Sequence, residues 1–425
     1  MGSPRPEAAR SSYGRGARLL SVGIASTGVV TFAYFSVASY VLDDVDYKRI
    51  SLLWSVLFVT VSVIYRPIEQ LLSRTIAERR ARGLEGGHPL RTPLTLQAGL
   101  AAAFVVVALA LRGPIADDLL DGSDALFGVL LAAVLFYAAS YFARGWLAGH
   151  TWFGLYGALV FLEAASRLLF ALAVAVGVAH GQTAVALGMA AAPLVSLVVV
   201  PLAFSRRAPA ARAPRERDEG LALARGGRFA LSVFAVMVAE QTLINAAVLT
   251  ADATARDAAV AGYVFNALLI ARAPLQLFQA IQGSLLPHLA GLNASAEGEA
   301  EFRRAIRITV AAIAAFAAAV AVGLLILGPW AMGVLFDVRF AYGRVGLALV
   351  AIGMGAHLVA GTLNQAALAR DHAGAAAACW PVAAALFVGW MLSPVVGGEL
   401  LRAEVGYAGA TSLLCALLAV VYRRR

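Results

Sequence analysis

The chain has 425 residues, of which 61% are hydrophobic and 14% charged, with a formal net charge of +9 and a mean hydropathy of +0.79. A soluble fold of this length needs more polar surface than that, so the composition excludes a soluble globular protein and marks a polytopic membrane protein. The basic residues fall in alternate loops, as an orientation signal does; the positive charge therefore reads as membrane topology, with anionic lipid head groups as neighbours, and not as a nucleic-acid surface.

Residues 1–17 carry Arg5, Arg10 and Arg15 with Pro4 and Pro6, and read as a cytoplasmic N-terminal tail. The first apolar run is too long for a signal-peptide core and reads as retained. From there hydropathy places about twelve spans, each near the roughly twenty residues that a helical crossing requires. They lie at 18–42, 50–72, 93–112, 124–144, 152–178, 183–204, 227–250, 257–286, 303–328, 344–369, 373–393 and 402–422.

The loops carry arginine on one side: Arg74, Arg79, Arg80, Arg82 and Arg91 after the second span, Arg206 to Arg225 after the sixth, Arg303, Arg304 and Arg307 after the eighth, and Arg423 to Arg425 at the end. The opposite loops are short and acidic, with Asp43, Asp44 and Asp46, then Asp117, Asp118, Asp121 and Asp124. This alternation predicts both termini in the cytoplasm and a multi-pass protein of a bacterial cytoplasmic membrane. The hydrophilic stretch 205–226 falls near the middle. The expected fold is all-α, about twelve transmembrane helices in two six-helix lobes around a central cavity. An N-lobe over 18–204 and a C-lobe over 227–425 are then joined by a basic cytoplasmic linker.

Several spans carry polar residues on one face. Thr27, Thr31 and Tyr34 are spaced i, i+4, i+7 in the first, as are Tyr137, Tyr141 and Arg144 in the fourth. Tyr156, Glu163 and Arg167 share a face of the fifth; His357 and Asn364, with Gln365 alongside, mark the tenth. Such stripes fit a cavity wall, and hydroxyl stripes equally fit close helix packing. Glu163 with Arg167 also fits a self-neutralising i, i+4 pair, and Tyr141 with Arg144 an interfacial anchor. His357 suits proton transfer by its ordinary pKa and suits a hydrogen-bonded packing role as well.

The strongest signal is Arg228 to Leu289. The seventh span holds Glu240, Gln241 and Asn245 near mid-depth; the eighth holds Arg272, Pro274, Gln276 and Gln279. A charge at that depth costs at least about 2.5–3.5 kcal/mol and should face protein or a watery cavity. Arg272, Gln276 and Gln279 lie at i, i+4, i+7 and line one stripe. Pro274 bends its helix at that depth, as a hinge or merely as a packing device.

No phosphate-binding glycine loop, nucleophile elbow or H-E-x-x-H occurs, and Cys379 and Cys415 lie in apolar spans without metal-type spacing. The expectation is a protein that is no enzyme and holds no cofactor or metal. The acidic Asp43-Asp44-Val45-Asp46 has a counterpart in membrane glycosyltransferases, but the sizeable outer loops such enzymes use for an acceptor are missing.

Gly262-Tyr263-Val264-Phe265-Asn266-Ala267, Ala271-Arg272-Ala273-Pro274 and Gln279 to Leu289 follow one another in the eighth span. With Gly328-Pro329-Trp330, Leu335-Phe336-Asp337 and Asp46-Tyr47, this resembles the multidrug/oligosaccharidyl-lipid/polysaccharide exporter superfamily. The likeness is nearest to its polysaccharide, or lipid-linked oligosaccharide, flippase branch; Lys48 stands where that branch usually has glycine. The resemblance implies a V-shaped cavity between lobes and the movement of a polyprenyl-phosphate-linked glycan to the outer leaflet. Arg272, Arg167 and Arg144 would meet the phosphates, with Gln276, Gln279 and Asn364 binding polar groups. Glu240, Glu163 and His357 would carry proton or sodium coupling. A cation-coupled multidrug exporter of the same superfamily and a non-transporting scaffold of cell-envelope glycan assembly are the alternatives.

Overall fold

The computed structural model of the protein describes residues 23, 26–81, 90–204, 223–254, 260–270, 298–337, 342–370, 372–393, 395–396 and 398–423. Among these the chain is helical, without strands. The helices are α1 (Ser26–Val41), α2 (Asp44–Ala81), α3 (Arg91–Ala110), α4 (Asp124–Gly149), α5 (Phe153–Ala175), α6 (Gly181–Ser196) and α7 (Val199–Phe204). They continue as α8 (Leu223–Thr254), α9 (Val260–Ile270), α10 (Gly298–Leu335), α11 (Arg344–Ala369), α12 (Ala373–Leu392) and α13 (Glu399–Arg423). Ten helical stretches among the described residues are long and apolar enough to cross a membrane, and α1 and α9 are shorter apolar helices. The chain is an all-helical, multi-pass membrane protein.

Local chemistry sets the helix ends. Asp43 Oδ1 accepts from the Asp46 amide at 2.7 Å, an N-cap bond, and Asp44 and Asp46 fall in the first turn of α2. Carboxylates there complement the positive end of the helix dipole. These acids, expected in a loop, are thus part of the helix, and α2 starts earlier than hydropathy placed it. At about 1.5 Å per residue its 38 residues span about 57 Å, well beyond the hydrocarbon thickness, so its polar ends run past the apolar layer. Ser123 Oγ caps α4 through the Leu126 amide, and α3 leads into a π-helical turn, Gly113–Leu119, that carries Asp117 and Asp118.

The chain divides into two compact units: Met1–Tyr34 with Val56–Leu231, and Phe35–Ser55 with Ser232–Arg425. In the first, α4 and α5 pack with α6. Leu72, Ile76, Ala143, Trp146, Leu147, Leu159 and Val199 form an apolar core there. Gly145 and Gly149 of α4 let α2 approach closely: a methyl added at Gly145 would lie 2.7 Å from the Glu69 carbonyl oxygen, and one at Gly149 2.7 Å from Ile76 Cβ. Small residues four apart permit such backbone contact. In the second unit α11 is the inner helix, packed against α10 and α13.

Candidate functional site

Each unit encloses a cluster of polar side chains. In the first, Glu163 of α5 is the hub. Its carboxylate accepts from Arg144 Nη2 at 2.5 Å and from Ser140 Oγ at 3.1 Å, both on α4. Arg167, one turn along α5, stands 3.8 Å away and donates to Tyr137 Oη at 2.8 Å and Thr31 Oγ1 at 3.3 Å. The Tyr137 hydroxyl in turn donates to Glu163. The Arg144 guanidinium lies 4.4 Å from the centre of the Tyr141 ring. Tyr34 reaches the Val185 carbonyl of α6 at 3.1 Å. Beside this hub, Tyr156 donates to Glu69 of α2 at 2.7 Å, and both Arg144 and Arg66 act electrostatically on Glu69. Three guanidinium groups (Arg66, Arg144, Arg167) thus meet two carboxylates (Glu69, Glu163).

The structure brings Thr31, Tyr34, Tyr137, Tyr141, Arg144, Tyr156, Glu163 and Arg167 together, whereas the Thr27 hydroxyl bonds back to the Gly23 carbonyl four residues earlier. The shortest partner of Glu163 is not Arg167 on its own helix but Arg144 across the α4–α5 contact. Glu69 and Ser140 were missed; the signal for Glu69 was an acid within the apolar span 50–72.

In the second unit, Glu240 of α8 and His357 of α11 face one another, Oε1 to Nε2 at 4.0 Å, with side-chain exposures of 15% and 3%. The other imidazole nitrogen, Nδ1, is 3.5 Å from the Tyr407 hydroxyl of α13, and which partner donates depends on the tautomer. Trp380 of α12 packs edge-on against the His357 ring at 5.6 Å and donates its Nε1–H to Asn364 Oδ1 at 3.1 Å. On α8, Asn245 donates to the Gln241 carbonyl and side-chain oxygens at 3.1 and 3.2 Å, and both residues are buried. Tyr47 of α2 donates to Asn266 of α9. Tyr407 and Trp380, the two partners that fix His357 and Asn364, had no sequence signal, since pairing across helices leaves no period.

Arg272, Gln276 and Gln279 lie outside the described residues. No group of three or more His, Cys, Asp or Glu that could hold a metal ion occurs among the described residues.

The fold is that of known membrane proteins. The chain superposes on the Vibrio cholerae MATE transporter VcmN with a TM-score of 0.65 at 14% identity, covering 97% of each chain. It matches a eukaryotic MATE transporter with a TM-score of 0.67 at 13% identity, over 96% of this chain and 95% of that one. This is the MATE fold. A multidrug resistance MATE family transporter of the MOP superfamily, solved inward-facing, gives a TM-score of 0.68 at 12% identity over 94% of both chains. No protein-family model and no curated protein matches the sequence. The MATE fold covers nearly the full length of the chain.

Proposed function

We propose that the chain is a secondary transporter of the MATE type that exports an organic solute by alternating access in exchange for a cation. The observation that carries this is the match in fold over almost the whole chain to MATE transporters. Similar solved structures include one of a multidrug resistance MATE family transporter in an inward-facing conformation and one in an outward-facing conformation. A cation shifts such an equilibrium only by its differential affinity for the two states. Glu240 with His357 is the group suited to that task, since a carboxylate and an imidazole 4.0 Å apart hold one proton at lower cost than either an isolated anion or two charges. Glu163, already satisfied by Arg144, Ser140 and Tyr137, is the lesser candidate.

The substrate class favoured is a lipophilic organic cation, as the neighbours' multidrug role supports. A lipid-linked glycan carrying phosphates is the second reading, favoured by the excess of guanidinium over carboxylate around Arg144 and Arg167. Its weight is reduced because Glu163 already engages both arginines. Arg272, Gln276 and Gln279 remain substrate contacts in that reading, with Asn364, whose carbonyl oxygen Trp380 occupies. The membrane is a bacterial cytoplasmic membrane with both termini inside.

The test is transport by the purified chain in liposomes, with ethidium as the organic cation and a polyprenyl-pyrophosphate oligosaccharide as the competitor. Ethidium movement driven by a proton or sodium gradient, lost in Glu240→Gln, is the expected result. Flipping of the glycan without ethidium transport overturns the cation reading in favour of the glycan, and inactivity toward both overturns transport.

A further inference from the structure

Glu404 is a buried carboxyl group that the coupling site does not include. It lies on α13 at 7% exposure, just over one turn from the start of that helix. The Tyr342 hydroxyl, immediately before α11, donates to it. Arg402, its nearest basic neighbour in sequence, directs its guanidinium to the carbonyls of Met391 and Val396 instead.

The packing of α11 against α13 gives this carboxyl group its place. A methyl at Gly346 would collide with the Glu404 carboxyl group, and one at Gly353 would stand 2.7 Å from Tyr407 Cδ1. These two glycines lie seven residues apart, hence on one face, with His357 one turn further along the same face. They open a slot in α11 that receives Glu404 and Tyr407, themselves one turn apart on α13. The two helices run parallel there, since Gly346 meets Glu404 and Gly353 meets Tyr407. Tyr342 with Glu404 near the helix starts, and Tyr407, His357 and Glu240 toward the middle of the unit, thus lie along one seam between α11 and α13, two turns of α11 apart.

We propose that Glu404 and Tyr407 are the proton inlet of the Glu240–His357 site, open to the side of the membrane where α11 and α13 begin. The inference rests on the coupling role given above to Glu240 and His357. By the arginine pattern that side is the outer one, because α13 ends at Arg423 on the inner side. The proton passes from outer water to the Glu404 carboxylate, making the neutral acid. Over the roughly 10 Å of α11 between the two contacts a file of waters carries it to a lone pair of the Tyr407 oxygen, while that hydroxyl gives its own proton to His357 Nδ1. The resulting imidazolium faces the Glu240 carboxylate through its Nε2–H. No net charge is left on Glu404 or Tyr407 except the carboxylate that was there at the start. Among the described residues, the titratable groups facing these side chains are Tyr342 from the segment before α11, His357 from α11, Tyr407 from α13 and Glu240 from α8; α12 contributes the Trp380 ring.

The experiment compares two rates in liposomes holding the full chain: ethidium uptake driven by an imposed proton gradient, and ethidium–ethidium exchange without a gradient. Glu404→Gln should slow the driven rate by about tenfold or more while exchange stays within about twofold, since a positioned proton-transfer group accounts for at least such factors. Tyr407→Phe keeps the ring in the Gly353 slot and removes only the hydroxyl, and should do the same. Glu404→Asp should recover much of the driven rate, with a displaced pH profile. A Glu404→Gln chain that matches wild type in driven uptake at every pH, while Glu240→Gln abolishes it, overturns the inlet alone. A wild-type chain without gradient-driven uptake, or a Glu240→Gln chain as active as wild type, overturns the coupling role and the inlet with it. Equal losses in driven uptake and exchange for both Glu404→Gln and Tyr407→Phe assign these residues to packing and also overturn the inlet.

Discussion

At the scale of single residues, the first unit turns on Glu163. Its carboxylate takes hydrogen bonds from Arg144, Ser140 and Tyr137, and Arg167 stands beside it. Burying two guanidinium groups is costly, and this anion offsets the cost for both, with Glu69 also acting on Arg144. Replacing a buried ion pair wholesale is often neutral, but removing one partner strands the other, at about 3–5 kcal/mol. Glu163→Gln takes the hydrogen-bonded anion from Arg144 and the nearest anion from Arg167, whereas Arg144→Gln leaves Glu163 still paired with Arg167. Glu163→Gln should therefore lower the unfolding midpoint in detergent distinctly more than Arg144→Gln, as read by a thermal melt. A smaller loss for Glu163→Gln would mean that its carboxylate is not the hub.

At the scale of helices, small residues decide which spans touch. Gly145 and Gly149 bring α4 against α2 and so place Arg144 within reach of Glu69. Gly145→Ala pushes a methyl to 2.7 Å from the Glu69 carbonyl oxygen, a backbone atom that cannot step aside. The overpacking should cost about 1–3 kcal/mol, checked by the same melt, whereas Gly128→Ala on the same helix, with open space around it, should leave stability unchanged or slightly raised. The helices themselves were legible from hydropathy: the tenth span, placed at 344–369, is α11, Arg344–Ala369, and the eleventh, at 373–393, is α12. Spans extended by polar turns were read short. The ninth, placed at 303–328, runs from Gly298 to Leu335, because helical hydrogen bonding continues past the apolar layer that hydropathy detects. The stripes on α4, α5 and α11 were legible for the same reason that helices are, a period near 3.6 residues. Which stripe faces which was not: the pairing of Arg144 with Glu163, and of His357 with Tyr407, depends on contacts between helices whose order in space no local pattern encodes. Glu404 could have been flagged as an acid within an apolar span, but only the Gly346 slot gives it a place.

At the scale of the whole molecule, the asymmetry of charge has a physical consequence that can be measured directly. Arg303, Arg304, Arg307 and Arg423 mark one end of α10 and α13, while Asp117, Asp118 and Asp121 lie in the turn between α3 and α4. Lys and Arg resist translocation during insertion, whereas Asp contributes little to orientation, so the arginine ends should lie inside. Both Asp118 and Arg304 are exposed, and the two native cysteines, Cys379 and Cys415, can be replaced by alanine to clear the background. In intact cells a membrane-impermeant maleimide should label an Asp118→Cys chain and spare an Arg304→Cys chain, with both labelled once the membrane is opened. The reverse pattern would invert the protein. Glu404 would then open to the cytoplasm, and a proton arriving from outside would not meet it. Labelling orientation and gradient-driven uptake are thus coupled readouts, since a proton inlet at Glu404 that draws on outer water requires Arg423, at the far end of α13, to lie inside.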